Sequence, residues 1–112
     1  MRGDHAVRIG DLRQRINLER PVLVSDGGGG ASEDWELVAE LWAAVNPLTG
    51  AERLEADAIS GRVSHEIWLR WRAGVAGDMR FRLGARLFDI RTVIDDGERK
   101  RFLRCLAEER DL

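Results

Sequence analysis

At 112 residues and a formal net charge of −2, the chain has room for one domain, residues 1–112, with one modest core. That balance gives no general attraction for nucleic acid, and no stretch approaches the roughly 20 apolar residues of a membrane span. The single cysteine, Cys105, excludes an intramolecular disulfide and fits a reducing compartment or an assembled particle.

Residues 1–8 are expected to be poorly ordered, and the opening MRGDHAVRIGDLRQR holds no apolar run of the secretory-signal type. Residues 15–22 alternate, with Ile16 and Leu18 on one face, which predicts a first strand ending near Pro21. The stretch VSDGGGGASEDWE (residues 24–36) follows. A phosphate loop needs a Lys and a Ser or Thr after the last glycine, whereas Ala31, Ser32, Glu33 and Asp34 stand here and their acids repel phosphate. A calcium loop needs alternating acids, and Asp26 is alone at the front. Asp26, Gly27, Gly28, Gly29, Gly30, Ser32 and Glu33 are therefore expected to form a mobile loop between strands.

The second strand is predicted over 35–46. Trp35, Leu37, Ala39, Leu41, Ala43 and Val45 share one parity, and Val38, Trp42 and Ala44 the other, so part of the outer face is expected to meet something. Pro47 stops the strand. Thr49 and Glu52 form a capping box opening a helix over 50–60, with Ala51, Leu54 and Ala58 as its apolar stripe and Gly61 as its cap. The third strand, 63–71, sends Val63, His65, Ile67, Leu69 and Trp71 one way and Ser64, Glu66, Trp68 and Arg70 the other. Gly74 and Gly77 mark a turn. A fourth strand covers 79–83 with Arg80 and Arg82 outward, Gly84-Ala85 turns into a fifth over 86–94, and Asp95-Asp-Gly97 turns into a sixth over 100–108. The pattern predicts a mainly β fold: a small six-stranded antiparallel β-barrel with one short α-helix between strands 2 and 3.

No catalytic set is legible. His5 falls in the expected disordered start, and His65 reads as a half-buried structural histidine. Cys105 reads as a buried thiol. The chain has no CxxC, HxH or HExxH, so catalytic residues, metal and cofactor are all expected to be absent. Trp35 and Trp71 are expected in the core. Trp42 and Trp68 fall on polar or mixed faces, and an exposed tryptophan marks a contact surface. Charge is uneven: residues 1–61 hold 6 basic and 11 acidic side chains, and residues 62–112 hold 12 and 9. Lys100 is the only lysine. Arginine suits protein interfaces, although a GC-rich coding sequence produces the same bias.

Laid in order, IGDLRQRI (9–16), the glycine loop before Trp35, LWAAVNPLTGAE (41–52), HEI (65–67), RWRAGV (70–75), Met79-Arg80, Phe88-Asp-Ile90, Val93 and Leu103-Arg-Cys105 make the chain resemble the head-tail joining (head-closure, or stopper) family of tailed bacteriophages. Similar proteins occur in gene transfer agents. The family typically carries tyrosine where Trp71 and Phe88 stand. The resemblance implies a small β-barrel that forms a homo-oligomeric ring in the virion, made in the host cytoplasm. An adaptor or portal ring would lie above it and tail terminator proteins below. Double-stranded DNA would pass through the channel without sequence-specific binding, and no membrane is involved. Trp42, Trp68, Arg70, Arg72, Arg80 and Arg82 are then candidate ring contacts, and Glu52, Glu55 and Asp57 candidate channel-facing residues. A second class stays open: a barrel that stacks single-stranded nucleic acid on Trp68 among Arg70, Arg72, Arg80 and Arg82.

Overall fold

The computed structural model describes residues 8–110. His5 and nearly all of the segment expected to be disordered lie outside them. Six strands and one helix follow in the order β1 (Gln14–Ser25), β2 (Ala31–Pro47), α1 (Gly50–Ser60), β3 (His65–Arg70), β4 (Arg80–Leu83), β5 (Arg86–Asp95) and β6 (Phe102–Glu109). All pairings are antiparallel and run β1-β2-β3-β6-β5-β4. The sheet closes into a ring where β4 returns to β1 through Asn17↔Arg82, Leu18↔Phe81 and Glu19↔Arg80.

Closure gives the sheet an inside. Ile16, Leu18, Ile67, Leu69, Phe81, Phe88, Ile90, Leu103 and Cys105 fill it. Alternation along β3, β4 and β6 places these residues inward as expected, because strand side chains have a period of two. Two bulges break that period. Between Leu18 and Glu19 of β1 the register on β2 jumps from Ala39 to Leu37, leaving Val38 as an extra residue. On β5 the register skips Arg91. A single extra residue reverses every side chain beyond it. Ala39, Leu41 and Ala43 therefore share the facing of Leu18 and Ile16, whereas Trp35 and Leu37 stand on the outer face with Glu19. The expectation that Trp35 belongs to the core is corrected here: it is half-buried on the outside. Trp71 does pack against the core.

Beyond Glu19, β1 and β2 pair only with each other, out to Ser25↔Ala31. This two-stranded arm continues β1 by six residues past its last pairing with β4, about 20 Å at strand geometry. The molecule accordingly measures 55 × 27 × 26 Å. Strand 1 thus runs past the proline expected to end it. The outer edge of β1 is open there, where a residue without an N–H is tolerated. The glycine run is the arm's turn. The Asp26 carboxylate accepts from Gly28 N at 2.8 Å and Gly30 N at 3.2 Å, and Gly27 and Gly29 hold φ of 80° and 85°.

α1 starts on the expected capping box: Glu52 N donates to Thr49 Oγ1 at 3.4 Å and Thr49 N to Glu52 Oε1 at 3.0 Å. Its docking differs from the expected stripe. Only Ala56 is buried, joining Leu48, Val63, Leu106 and Ile94 on the outside of the ring, whereas Leu54 is 74% exposed. Polar links fix the helix instead. Val63 N donates to Asp57 at 3.0 Å, and Arg53 Nε donates to the Val63 carbonyl at 2.9 Å. With so thin an apolar seat the helix depends on its cap, since short helices are marginal alone. Thr49→Ala should lower stability by about 1 kcal/mol, read as a reduced urea midpoint with unchanged slope.

Candidate functional site

The outer face at the foot of the arm carries the densest polar cluster. β1 places Glu19 directly opposite Arg80 of β4. Arg80 Nε donates to Glu19 Oε1 at 2.7 Å and Arg82 Nε to Oε2 at 3.2 Å. The Arg80 guanidinium lies 4.0 Å from the Trp35 ring centroid, and Arg110 lies 5.5 Å from it while holding both oxygens of Asp89 at 2.9 Å. Trp35 thus roofs Arg80, which is 6% exposed. Burial alone would raise the Glu19 carboxyl pKa, but the hydrogen bonds and charges of Arg80 and Arg82 outweigh it and hold it below the usual 4.5.

The candidate contact residues fall into three groups. Trp42 is exposed, at 53%, beside an Arg15–Glu40 ion pair on the outside of β2. Arg70 is exposed and Arg72 half-buried at the end of β3. The β5–β6 turn comes to the same end, because Trp71 N donates to the Arg101 carbonyl at 2.9 Å and Lys100 lies over the Trp71 ring. The third group corrects the expectation of exposure: Trp68 is buried beneath α1, Arg80 is buried under Trp35, and Arg82 shares Glu19. The single-stranded nucleic-acid constellation is not assembled either. Trp68 stands on β3 and Arg80 and Arg82 on β4, with β6 and β5 between them in the ring.

The helix acids serve local structure in part. Glu52 closes the capping box and Asp57 accepts from Val63 N, while Glu55 borders the groove beside α1. In the arm turn, the backbone N–H groups of Gly28 and Gly30 both donate to the Asp26 carboxylate, and Ser32 and Glu33 already belong to β2.

One arrangement hidden in the sequence has a catalytic look. Ser64 Oγ lies 2.8 Å from His65 Nδ1, and Glu109 lies 3.8 Å from Nε2. The bonds around it argue for structure. Arg86 binds Glu109 at 2.8 and 3.1 Å and reaches His65 Nε2 at 3.4 Å, and Glu109 N donates to Ser64 Oγ at 2.8 Å. Burial pushes the His65 pKa down, and Arg86 pulls that of Glu109 down. The imidazole is a neutral link that ties β3 to β6, packed edge-on against Phe88 at 5.1 Å. Among the described residues no three His, Cys, Asp or Glu side chains gather as a metal site requires. No helix there is long and apolar enough to cross a membrane.

A family profile described as phage head completion protein matches residues 7–110. A protein of Shigella flexneri 2a, known from its solution structure, superposes with a TM-score of 0.73 at 27% identity, covering 92% of this chain and 96% of that one. A chain in the structure of the virion of a native gene transfer agent particle superposes with a TM-score of 0.65 at 32% identity, covering 94% and 98%. No curated protein matches the sequence.

Two outcomes follow from this chemistry. A depressed carboxyl pKa contributes stability that is present above the unfolded value and lost as pH falls through the folded one. Glu19→Gln, which leaves Arg80 buried without its anion, should cost about 3 kcal/mol near neutrality. It should also flatten the loss of stability as the pH falls below the usual carboxyl value of 4.5, measured by urea unfolding at a series of acidic pH values. Burial pushes the Cys105 thiol up to about 12, so iodoacetamide should leave the native protein unmodified at neutral pH and alkylate it once unfolded.

Proposed function

The chain belongs to the phage head completion protein family, and from that premise we propose that it closes the DNA-filled head of a phage or phage-like particle as a ring of identical copies. It is a structural head protein, not an enzyme. The likeness that carries the proposal is to a chain of the gene transfer agent virion, at 32% identity over 94% of this sequence. In our reading the closed sheet is the small barrel that supplies each copy's rigid body. The ring sits under the portal or adaptor, offers its lower surface to the tail, and lets double-stranded DNA pass without reading its sequence. A net charge of −2 suits a conduit to which DNA must not stick.

The molecule's asymmetry supports ring formation. A ring needs two different, complementary patches on each copy. The arm leaves from β1 and β2, and α1 covers the far side over β3, β5 and β6. The arm turn is acidic, with Asp26, Glu33 and Asp34 exposed, while the β5–β6 turn mixes Asp96 and Glu98 with Arg99, Lys100 and Arg101.

Particles assembled without the chain should appear in electron micrographs as heads lacking tails, with DNA lost from them and transfer abolished until the chain is restored. Tailed, DNA-retaining particles in its absence would overturn the proposal. Away from its neighbouring rings the chain should sediment as a monomer at micromolar concentration, its ring interface ordering only on assembly.

A further inference from the structure

The arm is joined to the body through two strands alone. Among the described residues, β1 past Glu19 has no partner strand but β2, and β2 from Ala31 to Trp42 has none but β1. The junction also falls on the register break that leaves Val38 as an extra residue, and a bulge is where a strand bends. A two-stranded ribbon is barely stable by itself. On its backbone alone, the arm is a lever on a hinge.

Side chains remove that freedom at one point. Trp35 stands on the arm opposite Pro21, and along residues 31–38 it is the one residue that is not exposed. Its indole meets two cations from outside the arm. Arg80 of β4 lies 4.0 Å from the ring centroid, and Arg110, which follows β6, lies 5.5 Å from it. A cation over an indole is attracted by the ring's quadrupole. Both cations are anchored. Glu19 holds Arg80 at 2.7 Å, and both oxygens of Asp89 hold Arg110 at 2.9 Å. Asp89 is the β5 residue directly opposite Arg80, so the two anchors stand side by side under the ring. The charge of Glu33, on the arm, adds to the attraction on Arg110.

We propose that Trp35 is a clasp that sets the arm at one angle to the barrel, and that Arg110 closes it from the end of β6. Arg80 also serves the β1–β4 seam, where it is buried with Glu19. The Arg110 side chain has no part in that seam: it bonds Asp89 on β5 and meets the arm at Trp35 and Glu33. The clasp therefore has a half that can be removed without opening the barrel. It fixes the root of the arm and leaves the turn at 25–31 to adapt. An element held in direction beforehand loses less freedom when it meets a partner. The inference rests on the fold alone, whatever the neighbours in the particle are.

The test uses the purified full chain labelled with nitrogen-15 and weakly aligned, with residual dipolar couplings read at backbone N–H groups. In the wild type, the couplings of Arg20, Val22, Glu33, Trp35 and Glu36 should fit the alignment frame of the barrel amides. In Arg110→Gln they should shrink and leave that frame, while the couplings of β3, β4, β5 and β6 keep their values and the urea midpoint barely moves. Trp35→Leu should release the arm further and also lower the midpoint, because it uncovers Arg80. Arg110→Lys, which keeps the cation, should restore part of the fit. Arm couplings that lie outside the barrel's frame in the wild type overturn the proposal, as do couplings that stay in it in Arg110→Gln. So does an Arg110→Gln chain whose β4 and β5 amides loosen as much as its arm, since Arg110 would then be holding the barrel. All readings come from the isolated chain, so a negative result leaves the head-closure function standing, and tailed particles formed without the chain leave the clasp standing.

Discussion

Three residue pairs between β1 and β4 turn an open sheet into a closed one. Without them β1 and β4 would be edges, and Phe81 and Leu18, which face each other at the seam, would lose their cover. The seam is short because β4 is only four residues long. Its strength comes from side chains on both faces. Inside, Phe81 and Leu18 are fully buried. Outside, Glu19 and Arg80 are joined under the Trp35 ring. An ion pair so enclosed is costly to desolvate, and it holds only because each partner is bonded and roofed. It also specifies register, since a one-residue slip would set Arg80 against a different partner.

The roof exists because of the Val38 bulge. Without the extra residue, Trp35 would point to the same side as Leu41 and Ala43. With it, Trp35 covers the seam, and the strands beyond are freed from the ring to run on as an arm. The second bulge, at Arg91, does the equivalent on β5: it keeps Ile90 and Val93 toward the core while turning Ile94 and Thr92 to the side that α1 covers. One inserted residue in each of these two strands, β2 and β5, therefore decides which residues beyond it face the core and which face outward.

The sequence announced whatever is encoded locally. Thr49 with Glu52 marked the helix start, Gly61 marked its end, and uninterrupted alternation gave the facing of β3 and β6. Family likeness was legible in the spacing of short motifs across the whole chain. The bulges were not, because an extra residue in an alternating strand has no signature of its own and shows only in the partner's register. Trp68 was misplaced for a related reason. Its neighbours Glu66 and Arg70 suggested a wet face, but Glu66 is buried with Arg104 at 2.8 Å, and α1 folds back over both. That packing joins residues about ten to forty apart in the chain, which no local pattern reports. Arg80 failed in the same way, since its roof comes from a distant strand.

Among the described residues the strands that run farthest with a partner on one side only are β1 and β2 in the arm, so the risk of amyloid-like stacking concentrates there. The arm is guarded accordingly. Arg20 pairs with Glu36 across it at 3.0 Å, Pro21 interrupts its donors, and the turn ends in acids that repel an identical tip. Equal tips meeting edge to edge are thus disfavoured, whereas an unlike surface is not. The arm's own charge thus works against fibre formation at the one place where two strands run beyond the ring.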